Sequence, residues 1–164
     1  MSPESKCPGC GAAFSDIAGP IHRYMHSSPA CWAAFGEVLT REYSDPDYAA
    51  VHRLSVDAYA VQHPGDTSRQ AIQSVGLHLV RLCFFLERGL PATEANAAML
   101  KAGRLKANYI WLSRPAGLGD ITVKDVVAAQ GLTQHTDAVH AWARSAWHAW
   151  AEHHSLVRQW ADAA

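Results

Sequence analysis

From Ser28 onward the apolar residues of this chain recur every three or four positions, and that spacing limits what it can fold into more than any other feature. A period near 3.6 gathers apolar side chains on one face of a helix and leaves nothing for the alternating faces of a strand. Ser28 suits a cap and Pro29 the first helical position, ahead of ACWAAFGEVLTREY. A second helix is expected from Asp45-Pro46 to no further than His63, where Pro64-Gly65 ends it. A third is expected from Ser68 to Arg88 before Gly89, and a weaker fourth from Thr93 to Leu105. TVKDVVAA forms a short helix behind a Thr122–Asp125 capping pair, and the longest helix is expected over Thr133–Ala161. Strand signals are nearly absent. The fold class is therefore all-α: a helical bundle of four to five helices with an irregular N-terminal zinc knuckle.

The knuckle follows from composition. Residues 1–29 are poor in periodic apolar residues and carry Gly9, Gly11, Gly19 and several prolines, so a core of their own is not expected. They read as a zinc-knuckle segment packed on a bundle domain of residues 30–164. Within them stands CPGCG, residues 7–11. A redox pair of this type sits at a helix start after a strand, and no strand is expected before it. Two thiols in one tight turn instead offer two ligands to one metal. Cys31, in the first turn of the first helix, is a third; there the free amides and the helix dipole favour the thiolate. His22 or His26, both in IHRYMHSSPACW, would complete a closed Cys3His site of structural type, with one zinc per chain. Cys83, among Leu79, Phe84 and Leu86, reads as core.

The ten histidines raise a second question. His78 falls inside the stripe Ala71, Val75, Leu79, Leu82, Phe85, Leu86. His153 falls inside the stripe Val139, Trp142, Ala146, Trp150, Val157, Trp160 of the last helix. His52 and His63 share one face of the second helix, three turns apart. Inward imidazoles on facing helices are how bundles build metal sites, and three of them would leave a ligand position open for catalysis. The sharper reading is thus a second metal held by His52, His78 and His153, acting on a small-molecule ligand. Asp57 would orient an imidazole or serve as base, and Tyr59 or His63 would donate protons. The plainer reading is neutral core histidines bonded to neighbours. Trp142, Trp150 and Trp160 follow core spacing, which leaves Trp147 as the best exposed aromatic.

Charge excludes other classes. Fourteen Lys and Arg against fifteen Asp and Glu give no field for nucleic acid, and only Lys6, Arg23 and Arg41 lie near the knuckle. No apolar run spans a membrane. MSPESKCPGC has no apolar stretch behind a basic start, and four cysteines without such a signal suit the reduced thiols of a cytoplasmic protein.

Taken together, CPGCG, HRYMHSSPACW, HRLSVDAYAVQHPG, SVGLHLVRL and the Trp-rich end resemble a bacterial family of unknown function over nearly the whole chain. The resemblance implies signature positions at Cys7, Cys10, His22, Cys31, His52, Asp57, His63 and His78, and favours His22 over His26 as the fourth zinc ligand. A looser, architectural similarity is to the DinB-like bundles, which hold a metal with three histidines; no HxxxH stands on the last helix here. Two functions follow as expectations: a zinc-binding, metal-dependent enzyme acting on a small molecule, or a non-catalytic interaction module that zinc only stabilises.

Overall fold

The computed structural model describes residues 3–164. Two short strands, β1 (Glu4–Lys6) and β2 (Ala13–Ser15), pair antiparallel with Glu4 opposite Ser15 and Lys6 opposite Ala13. The α-helices are α1 (Pro29–Ser44), α2 (Pro46–Ala49), α3 (His52–Gln62), α4 (Arg69–Leu82), α5 (Ala95–Arg104), α6 (Val123–Ala128), α7 (Gly131–Ala149) and α8 (His154–Ala163). The protein is mostly helical, and its cysteine turn projects from the small hairpin. Among the described residues no helix is long and apolar enough to cross a membrane.

Capping sets most boundaries. The Ser28 side chain accepts from the Cys31 amide at 3.2 Å, and Ser68 does the same for Ala71 at 3.3 Å. Thr122 and Asp125 form the reciprocal pair that opens α6. Two helices break where periodicity alone gives one. The segment after Asp45 divides into α2 and α3 because Val51 takes φ −103°, ψ 0° and turns the chain. The final helix divides at Trp150, whose amide bonds Trp147 in a tighter turn, and a 3₁₀ segment (Ala151–His153) leads into α8. Hence the described residues form eight α-helices, the extra ones arising where longer expected helices divide. The end of α4 widens into a π-helical turn over Cys83–Glu87, and Gly89 closes it at φ 59°.

The core is built by α3 against α4 and α7, with α1 leaning on α3 and α6. Phe35 stacks on Tyr59 at 4.0 Å, and Trp142 meets both edge-on. Its indole donates to Gln62 Oε1 at 2.7 Å, while Gln62 Nε2 donates to the carbonyls of Leu118 and Ile121. That buried amide ties the loop before α6 to α3. Trp147, expected at the surface, is 3% exposed.

Candidate metal centre

The hairpin turn is shaped by its own backbone. Cys7 N donates to Ala12 O at 2.9 Å and Gly11 N to Cys7 O at 3.0 Å, with Gly11 at φ 77°. This directs Cys7 and Cys10 the same way. Arg114 Nη2 donates to the carbonyls of Pro8 and Gly9, both at 2.8 Å, and fixes the turn to the loop before α6. Cys31 enters from the first turn of α1, and His63 from the residue that ends α3.

These four side chains converge. One ligand atom from each of Cys7, Cys10, Cys31 and His63 lies within 4.8 Å of the other three, so they are close enough to bind a metal. Cys10 Sγ is 3.8 Å from Cys31 Sγ, and Cys31 Sγ is 3.3 Å from His63 Nε2. A tetrahedral zinc with bonds of about 2.3 Å to sulfur and about 2.1 Å to nitrogen needs ligand separations of about 3.6–3.8 Å. The Cys10–Cys31 separation matches that spacing, and the Cys31–His63 separation is slightly shorter. Exposure is 2% for Cys7, 9% for Cys10 and zero for Cys31 and His63.

The surroundings support ligation. His63 Nδ1 lies 2.7 Å from Tyr59 O; a carbonyl only accepts, so Nδ1 carries the proton and Nε2 turns its lone pair to the cluster. Tyr59 stacks on the imidazole at 3.9 Å, and its hydroxyl donates to Cys31 Sγ at 3.6 Å. Burial, with the Cys31 sulfur beside it, pushes the Tyr59 phenol well above its ordinary value, so it stays a donor. The thiols conflict with one another. Hydrogen bonds from Cys10 and Cys31 pull Cys7 far down. Cys10 is drawn down by Cys31, but Cys7 and burial outweigh this and push it up to about 11. Cys10, Cys7 and burial together push Cys31 well above the thiol range. A divalent cation would favour the thiolate form of all three.

His22 and His26 do not join the cluster. His22 packs edge-on to Tyr24 at 4.4 Å and to Trp32 at 5.2 Å, and its Nδ1 accepts from the Tyr24 amide at 3.3 Å. Burial, then the nearby His78, holds it below the ordinary histidine value. His26 is exposed and contributes its carbonyl, which packs against Gly9. The side chain that lies with the three thiols is instead His63, which periodicity assigned to the bundle interior. The segment between Cys10 and Cys31 meets the turn through the His26 backbone, whereas the end of α3 meets it through the His63 ring.

The remaining imidazoles are dispersed. His52 Nδ1 is 2.9 Å from Glu42 Oε2, and the buried His135 faces Glu42 Oε1 at 3.0 Å, with the Ser55 hydroxyl on that oxygen at 2.5 Å. His78 Nδ1 is 2.7 Å from Asp57 Oδ1, with Arg81 Nε 3.2 Å from the same oxygen. His153 leaves the stripe at the α7–α8 break and meets Ser113 O at 2.8 Å. His52, His78 and His153 therefore have separate partners. Among the described residues, the cysteine cluster is the one group of three or more metal-type ligands gathered this closely.

A family model described as a family of unknown function, DUF5946, matches residues 5–151, which contain all four side chains of the cluster. No curated protein and no solved structure matches the chain.

Proposed function

The chain belongs to DUF5946, a family of unknown function, and with no activity to inherit from it we propose a cytoplasmic zinc protein whose one Zn²⁺ is held by Cys7, Cys10, Cys31 and His63. The observation that carries this is the buried convergence of three thiols and one imidazole within 4.8 Å of one another. With every position filled by protein, no site remains for water or substrate, so the ion is structural. It joins the hairpin, α1 and α3, three segments far apart in sequence. Zinc fits three thiolates and an imidazole better than the hard cations that prefer oxygen. A reducing cytoplasm would keep the thiols available.

A second reading, catalysis on a small molecule, is favoured by one pair. Asp57 is fully buried behind His78 and holds its Nδ1, which turns Nε2 outward. His78 lines a cavity of about 180 Å³ with Tyr24, Gln70, Gln73 and Lys106. A carboxylate-oriented imidazole facing a polar cavity is the arrangement of a general base, and needs no second metal.

The test is metal content of purified protein by elemental analysis. About one zinc per chain is expected, lost in Cys7→Ser and His63→Ala and kept in His22→Ala and His78→Ala. Zinc retained by His63→Ala, or lost from His22→Ala, would overturn the assignment.

A further inference from the structure

A cleft of about 530 Å³ lies between α3, α7 and the π-helical turn, and none of its lining residues belongs to the cysteine cluster. Its volume lies within the range of small-molecule sites. The lining has two characters. Leu54, Leu86, Leu90 and Trp147 supply an apolar wall, while Arg53 and Arg144 bring guanidinium groups to it.

The charge is unbalanced. Glu87 is the one carboxylate among the lining residues, and it is already engaged: Arg158 Nε and Nη2 reach its two oxygens at 2.8 and 2.7 Å, and His154 Nδ1 stands 3.9 Å away. Arg53 has only neutral partners, Asn96 Oδ1 and Met99 Sδ. No carboxylate among the described residues lies within ion-pair distance of Arg53 or Arg144. Two guanidiniums on the rim of one apolar cleft, without an internal anion, form a receptor for an external one.

The local backbone is also unusual. Phe85, Leu86 and Glu87 reach the cleft from the π-helical turn, a wider coil than the α4 helix that precedes it. Such turns are uncommon and concentrate at functional sites. Here it brings Leu86 to the wall and swings Glu87 to Arg158.

We propose that this cleft binds a small organic acid, its carboxylate between Arg53 and Arg144 and its apolar body against Leu54, Leu86 and Trp147. An inorganic anion would leave the apolar wall wet, and an uncharged ligand would leave two guanidiniums unanswered. The site is independent of zinc, because none of its lining residues belongs to the cluster.

Isothermal calorimetry on the zinc-loaded protein tests it, with 4-phenylbutyrate as probe and 4-phenylbutanamide and inorganic phosphate as comparisons. The expected result is phenylbutyrate binding at about 1 mM or tighter, with the amide and phosphate each about tenfold weaker or more. Arg144→Gln, at an exposed position with no internal bond to lose, should weaken phenylbutyrate about tenfold and leave zinc content and melting temperature unchanged. Absent phenylbutyrate binding, equal binding of the amide or of phosphate, or unchanged affinity in Arg144→Gln would each overturn the proposal.

Discussion

Gly9 decides how closely the cysteine turn can approach its fourth ligand. A methyl group there would lie 2.3 Å from His63 Cδ2, 2.4 Å from the His26 carbonyl oxygen and 2.9 Å from that of Gln62. Two of these neighbours are backbone and the third is a ring wedged against Tyr59, so none yields cheaply. Gly9→Ala must therefore push the turn away from His63 and spoil the tetrahedron. Competition with a chromophoric chelator should show zinc affinity lowered at least about tenfold, within the range of losses at groups that support a metal site. Gly117→Ala, where a methyl meets nothing within 4 Å, should leave affinity unchanged. Equal affinities in the two variants would refute the close-approach argument. Glu42 illustrates another role of single residues. It is fully buried, and it engages both His135 and His52, the latter expected from the sequence to hold a second metal.

At the scale of elements, the α7–α8 break creates a buried imidazole. His154 lies flat on Trp147 at 3.7 Å and 12°, with Nε2 2.9 Å from the Trp147 carbonyl. Burial depresses its pKa below the ordinary 6.5; the carbonyl and Glu87 oppose the shift, and Arg158 and His148 add to it. The unfolded chain thus takes up this proton at higher pH than the folded one. Stability is full above about 6.5 and is lost as pH falls through the folded pKa. His22 and His140, also depressed mainly by burial, act in the same direction. Melting temperature should be flat above neutrality and decline below about pH 6.5, with a shallower slope in His154→Asn. An identical slope in that variant would remove His154 from the account.

For the whole molecule, two side chains from outside the N-terminal segment bond its hairpin: Arg114 on the Pro8 and Gly9 carbonyls, and Lys124, whose Nζ is 2.5 Å from Ala13 O and 5.3 Å from the Phe14 ring. The bundle has its own apolar interior in Val38, Leu79, Val139, Trp142 and Val157, all with zero exposure. Removing the metal with a chelator should therefore lower the melting temperature by about 10 °C, several kcal/mol for a chain of this size, while preserving most helical circular dichroism. Amide exchange should quicken first in residues 4–15. Loss of all helicity would instead make the metal essential to the core.

The sequence by itself determined what depends on neighbours along the chain. CPGCG places two thiols in one turn, Ser28-Pro29 starts α1 just before Cys31, Pro64-Gly65 stops α3, and Thr122 with Asp125 opens α6. Each is settled within a few residues by steric limits on φ and by unpaired amides. The tertiary structure alone decided what depends on distance through space. Cys31 and His63 are 32 residues apart, and neither periodicity nor spacing orders His63 above His22. His78 and His153 both looked inward, but turning a stripe toward a core does not fix which residue of another helix it meets. The breaks at Val51 and Trp150 escaped detection because no glycine or proline marks either position. The cleft escaped it because Arg53 and Arg144 lie on separate helices and become one site only when α3 packs on α7. Local chemistry wrote the elements; packing chose their partners, since contact energy falls to nothing within a few ångströms and sequence does not record that distance.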